Sequence, residues 1–235
     1  MDAPGPLLAS GRDADIFEYG PGRVLRRARD GRSLRDEAST MAYLHDHGYP
    51  VPRVDELSDD GVELVMERIE GPTMVEAIGA APWTVRRHGH ALAELHVALH
   101  ELVAPPGMRA APVGAGDRVV HLDLHPLNVL VGPRGPVVID WSNASRGDPA
   151  VDVCVAWALM ASGTIPGATL RARVLGLGRA ALVGAFLSRF DRDELAGALG
   201  PAIAWKLDDA HLGATELAAL RRLAARRATG ASAGD

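Results

Sequence analysis

Apolar and polar positions change rhythm along this chain: short alternating runs come first and helical spacing dominates later. "DIFEYGPGRVLRRA", residues 15–28, reads as two short strands around a Gly-Pro-Gly turn. "SLRDEASTMAYLHDHG", residues 33–48, has a helical pattern, with Ser33 placed to cap it, Asp36 three residues on, and Gly48 closing it. "PVPRVDELSDDGVELVMERIEG" then predicts two more strands joined by Ser-Asp-Asp-Gly. From Trp83 to Val103 the pattern is helical again, since Val85, Leu92, Leu95, Leu99 and Leu102 recur at spacings of seven, three, four and three. After a Pro/Gly-rich loop, "RVVHL" and "VVID" read as short strands rich in β-branched residues. Everything from "PAVDVCVAWALMAS" onward reads as helix.

Strands first and helices later imply an α+β architecture of two lobes. A small sheet-bearing N-terminal lobe is expected over residues 10–70 and a mainly helical C-terminal lobe over 71–228. Small polar residues at 1–9 and 229–235 predict frayed ends.

Composition narrows the class. Close to half of the 235 residues are apolar, which supports a substantial core. No apolar run is long enough to span a membrane, and the N-terminus lacks the pattern of a secretion signal. A single cysteine, Cys154, allows no internal disulfide and fits a reducing compartment, so a cytoplasmic location is expected. The net charge of −5 argues against nucleic acid as a partner. Residues 1–150 hold 22 acids and 15 bases, whereas residues 151–235 hold 8 and 10. Lys206 is the only lysine, so the third strand has none to offer.

Candidate chemistry concentrates in "HLDLHPLNVLV", residues 121–131, followed by "VVIDW". Pro126 keeps the segment between Asp123 and Asn128 from forming a regular helix. Asp140 is expected at a strand end, its carboxylate projecting from the sheet edge. The oxygens of Asn128 and Asp140 suit a hard cation such as Mg2+, which leaves Asp123 to orient a hydroxyl or accept its proton. One base and two metal ligands form the minimum set for phosphoryl transfer from ATP. The plain alternative is a polar loop stabilised by its own turns.

"HLDLHPLN" is similar to the catalytic loop H-R-D-L-x-x-x-N of protein kinases. With "IDW" and "GDPAVD" following in order, the chain more closely resembles the aminoglycoside phosphotransferase / choline kinase-like family, over roughly residues 10–160. Asp140 is followed by Trp-Ser where protein kinases have Phe-Gly. The resemblance implies a bilobal protein kinase-like fold with Asp123 as catalytic aspartate and Asn128 and Asp140 as magnesium ligands. It makes Asp152 a structural residue that bonds the loop backbone. His125 falls where protein kinases carry a lysine beside the transferred group, and joins the catalytic set by that analogy. Leu122 stands where the family has glycine.

In the N-terminal lobe, Arg26 occupies the place of the family's third-strand cation. Glu37 is its natural partner, because Leu34, Met41 and Leu44 put that carboxylate in the helix's apolar stripe, where it needs a cation. A purely structural ion pair is the alternative for these two. Arginine and lysine are not interchangeable, which bears on ATP affinity. The loop containing Gly11 is expected over the ATP phosphates, and backbone groups of Glu67 and Ile69 beside adenine.

His121 and His96 are read as braces, His88, His90 and His100 as surface residues, and Trp141, Trp157 and Trp205 as packing residues. Asp208 and Asp209 are placed at the start of the last long helix, where with Glu216 they are the few acids available to a cationic substrate. That scarcity leans away from aminoglycosides and toward another hydroxylated small molecule. The C-terminal part is short for the family, so the expected pocket is small, open, or completed by a second subunit in a homodimer. The expectation is an ATP- and Mg2+-dependent small-molecule kinase. The alternative is a catalytically weak or silent nucleotide-binding module of the same fold.

Overall fold

The computed structural model describes residues 3–11, 13–162, 170–209 and 213–231, excluding the side chains of residues 170–176, 216 and 226–231. The expected frayed ends thus lie partly outside the described residues, as does the side chain of Glu216.

Five antiparallel strands form the first sheet: β1 (Leu7–Ser10), β2 (Ala14–Glu18), β3 (Arg23–Ala28), β4 (Val54–Leu57) and β5 (Glu63–Glu67), in the order β1-β2-β3-β5-β4. Residues 7–9, read from sequence as frayed, pair with β2 instead. The Gly-Pro-Gly turn joins β2 to β3 with Gly20 and Gly22 at φ of 65° and 68°, where a Cβ would be strained. The Ser-Asp-Asp-Gly turn joins β4 to β5 as expected, locked by the Ser58 hydroxyl donating to Asp60 at 2.6 Å.

Helix α1 (Arg35–Asp46) packs beside the sheet and buries Glu37, Met41 and Leu44 on one face. Its cap differs from expectation. Leu34 occupies the N-cap position without a side-chain bond, while the Ser33 hydroxyl accepts only from the Arg35 N–H at 3.3 Å. Leu34 is instead buried at 1% exposure, so apolar packing sets the helix entry.

The second half is mainly helical: α2 (Met74–Ala80), α3 (Val85–His100), α4 (Pro149–Ser162), α5 (Leu170–Leu187), α6 (Arg192–Leu207) and α7 (Ala214–Ala231). Residues 229–231, expected to fray, continue α7. Helix α2 was not anticipated, although Thr73 and Glu76 form a capping box that marks its start. Helices α3 and α5 approach so closely at Gly89 that a Cβ there would overlap the Leu182 carbonyl and the Ala185 methyl. Two two-stranded ribbons bear the motif region: β6 (Arg118–Val120) with β9 (Ser145–Gly147), and β7 (Val129–Gly132) with β8 (Gly135–Val138). Among the described residues, no helix is long and apolar enough to cross a membrane.

Candidate active site

Residues 121–128 leave β6, turn through a short 3-10 segment at Pro126–Asn128 and enter β7. Fixing such a loop requires partners for its backbone N–H groups. Asp152 in the first turn of α4 supplies them: its carboxylate accepts from the N–H of Leu122 at 2.7 Å and of His121 at 3.1 Å. His100 Nε2 donates to the same carboxylate at 2.9 Å, so this histidine belongs to the core network and not to the surface. Asp152 is fully buried, which pushes its pKa up, yet the hydrogen bond and charge of His100, with the nearby His96 and His121, outweigh that and hold it below the ordinary range.

His121 braces the loop as expected. Its Nε2 donates to the Ile139 carbonyl at 3.2 Å, and its ring lies 4.6 Å from Trp141. His96 is fully buried with Nδ1 donating to the Leu92 carbonyl at 2.9 Å. His88 is half-buried and His90 exposed. Leu122 has φ 61°, a left-handed conformation costly for a branched side chain. That backbone explains the glycine usual in the related motif; here a Leu side chain at 1% exposure packs in the core instead.

Asp123 faces outward from the loop. Asn128 Nδ2 donates to its Oδ2 at 3.1 Å and to its backbone carbonyl at 3.0 Å, which orients the carboxylate and leaves the Asn128 amide oxygen unused by that contact. His125 Nδ1 accepts from the Leu127 N–H at 3.3 Å and so caps the 3-10 turn, while Nε2 lies 3.8 Å from Asp123 Oδ1. Burial lowers the His125 pKa, against the opposing charge of Asp123.

Asp140 lies two residues beyond the end of β8, not on the strand as expected, and has φ 63° and ψ 69°. This turn brings its Oδ1 to 3.1 Å from Arg26 Nη2 on β3. Burial raises the Asp140 pKa, but the charges of Arg26 and His121 prevail and the net shift is downward. Arg26 Nε meets Glu37 Oε1 at 3.2 Å without hydrogen-bond alignment, so the pair is electrostatic. Both are buried, and burial raises the Glu37 pKa by more than Arg26 lowers it. The sequence-predicted pair therefore forms, with Asp140 as a third member that sequence spacing did not reveal.

One cleft of about 370 Å³ is lined by Gly11, Arg26, Asp123 and Asp140, together with Ser142 and Asn143 and the β1–β2 turn. Asn128 and Glu37 stand behind Asp123 and Arg26 and do not line it, nor does His125. Glu67 and Ile69 also lie outside it. The Glu67 N–H donates to the Arg53 carbonyl at 2.8 Å and its carboxylate pairs with Arg134 at 2.6 Å. Ser142 and Asn143 were missed, although they directly follow the Asp-Trp pair.

The C-terminal helices add a residue that sequence spacing could not place. Lys206 on α6 is 5% exposed, with Nζ 3.8 Å from Asp123 Oδ1 and 3.6 Å from Asp209 Oδ2. Asp208 caps the C-terminal end of α6, so this acidic pair ends one helix and does not start the next. Trp141 is buried, while Trp157 and Trp205 are partly buried against the core.

The model of the phosphotransferase enzyme family matches residues 6–118 and 109–197 of this chain. Among solved structures, APH(2'')-IIa in a ternary complex with streptomycin and ATP superposes with a TM-score of 0.61 at 17% identity, covering 90% of this chain and 89% of that one. ADP-bound APH(2'')-Ib gives 0.62 at 15% identity, covering 91% and 90%. A choline/ethanolamine kinase family protein from Mesorhizobium loti gives 0.51 at 16% identity, covering 86% and 75%. No curated protein matches by sequence. These likenesses establish an α+β protein kinase-like fold, and the family match spans most of the sequence: the chain belongs to the phosphotransferase enzyme family.

Proposed function

We propose that this chain is an ATP- and Mg2+-dependent phosphotransferase that moves the γ-phosphoryl group to a hydroxyl of a small molecule. The observation that carries this reading is the convergence of Asp123, Asp140 and Arg26 on one cleft, with Asn128 fixing Asp123 from behind. Loop, sheet and post-β8 turn are distant in sequence, and a polar loop held only by its own turns has no reason to gather them.

The donor set fits magnesium. Asp140, which lines the cleft, and the amide oxygen of Asn128, which reaches it from behind Asp123, would hold the ion as hard donors alongside water and phosphate oxygens. When bound, it neutralises phosphate charge. Arg26, tied to Glu37, places a fixed guanidinium in the cleft for phosphate oxygens. Asp123, its Oδ2 held by Asn128, orients the acceptor hydroxyl and receives its proton through Oδ1. The acceptor oxygen bonds to the γ-phosphorus as the β–γ bridging bond breaks. ADP departs with that electron pair, and the proton passes from Asp123 to solvent. Positioning and electrostatics supply the rate acceleration.

The acceptor is read as a hydroxylated antibiotic or metabolite. ATP consumption across a panel of such alcohols tests the reading: acceptor-dependent ADP release with a phosphorylated product supports it. ADP release that no acceptor raises and no phosphorylated product accompanies refutes it.

A further inference from the structure

Lys206 is the only lysine of the chain, and α6 carries it into the protein interior at 5% exposure. An ammonium buried there loses its hydration and is tolerated only against opposite charge. Its two carboxylate contacts, 3.8 Å to Asp123 Oδ1 and 3.6 Å to Asp209 Oδ2, are both longer than the roughly 2.7–2.9 Å of a charge-assisted hydrogen bond. The Trp205 ring lies 4.8 Å from Nζ and covers one side. Lys206 therefore orients Asp123 electrostatically, as a nearby point charge without a direct hydrogen bond.

The two oxygens of Asp123 are held differently. Oδ2 accepts from Asn128, within the same loop. Oδ1 faces His125 Nε2 and Lys206 Nζ, each at 3.8 Å. His125 spends its other ring nitrogen as a cap acceptor, while α6 brings the Lys206 ammonium to this oxygen. Asp140 and Arg26 line the same cleft as Asp123, and their mutual pair leaves Oδ1 of Asp123 to Lys206 and His125.

We propose that Lys206 is a positioning residue for phosphoryl transfer, holding Asp123 Oδ1 toward the acceptor from helix α6. The inference rests on the phosphotransferase function proposed above. It ties the C-terminal helices, far from the nucleotide cleft in sequence, directly to the reacting carboxylate.

Lys206→Met and Lys206→Arg test it, with Mg-ATP turnover onto the alcohol of the panel above that most raises ADP release, ATP affinity by calorimetry and the melting temperature measured for each. Lys206→Met is expected to lower kcat on the order of 10- to 100-fold, the scale of a misplaced reacting group. KM and Kd for ATP stay within about 2-fold, because the interaction acts in the transfer step and not on nucleotide binding. Lys206→Arg, which keeps the charge, recovers most of the lost kcat. Wild-type kcat in Lys206→Met overturns the inference. So does a loss that Lys206→Arg does not recover and that follows the melting temperature, since that is the signature of a purely structural anchor. Absence of turnover in the wild-type protein overturns the function and this inference together, and the wild-type arm alone reveals it.

Discussion

Replacing Asp152 by alanine removes the carboxylate that accepts from the backbone of the 121–128 loop. In the native protein it is fully buried and accepts three hydrogen bonds, from the N–H groups of His121 and Leu122 and from His100 Nε2. Alanine leaves two buried backbone donors without partners, each costing about 1–3 kcal/mol. It also strands the His100 ring, although the carboxylate's own burial cost is relieved. Removing one member of a buried charged network costs about 3–5 kcal/mol, and the two routes agree on about 4 kcal/mol. For a protein of this size that lowers Tm by about 8–16 °C, a large part of a total stability of about 5–15 kcal/mol. Urea denaturation followed by tryptophan fluorescence reads it directly, because the Trp141 ring lies 4.6 Å from His121. Asp152→Asn keeps one acceptor oxygen but turns an amide N–H toward a backbone donor, so it recovers at most part of the loss. A destabilisation below about 1 kcal/mol for Asp152→Ala would refute the reasoning, since buried donors cannot lose their acceptor so cheaply.

Three other perturbations probe neighbouring features. Burial lowers the His96 pKa from 6.5 to about 4, against the opposing charge of Asp152, so the unfolded chain takes up a proton first. Its contribution is therefore intact above the unfolded value and lost as pH falls from about 6.5 toward 4, about 3 kcal/mol in all. The unfolding free energy of wild type relative to His96→Leu, compared at about pH 7 and about pH 4, should drop by that amount. Leu122→Gly relieves left-handed strain of about 1–2 kcal/mol but removes a buried leucine worth about 2–5 kcal/mol, so a net loss of about 1–3 kcal/mol is expected by denaturation. Arg26→Met strands the buried Glu37 carboxylate at a cost of about 3–5 kcal/mol, and adding Glu37→Leu should restore more than half of it in a double-mutant cycle.

Local patterns made much of this legible. The apolar stripe of α1 placed Glu37 inward, and the structure buries it against Arg26. The spacing of Asp123, Asn128 and Asp140 identified side chains that the fold does gather, directly or through a hydrogen bond. Sequence periodicity has no purchase on three-residue β9, whose pairing with β6 depends on a long-range return of the chain. Nor does it tell that Asp140 sits in a left-handed turn past its strand, because φ is set by what the turn must reach. Helix α2 was legible through its Thr73–Glu76 capping box and was overlooked. His100 and Lys206 are different: each looks like an ordinary polar helix residue until tertiary packing delivers it to Asp152 or Asp123.

The central claim is that Asp123 serves phosphoryl transfer, and Mg-ATP turnover by wild type and Asp123→Asn tests it most directly. The account predicts turnover in the wild type and a loss on the order of 100-fold or more in the variant, with ATP affinity unchanged within about 2-fold. Equal turnover in the two proteins, or ATP binding with no turnover in either, would contradict it.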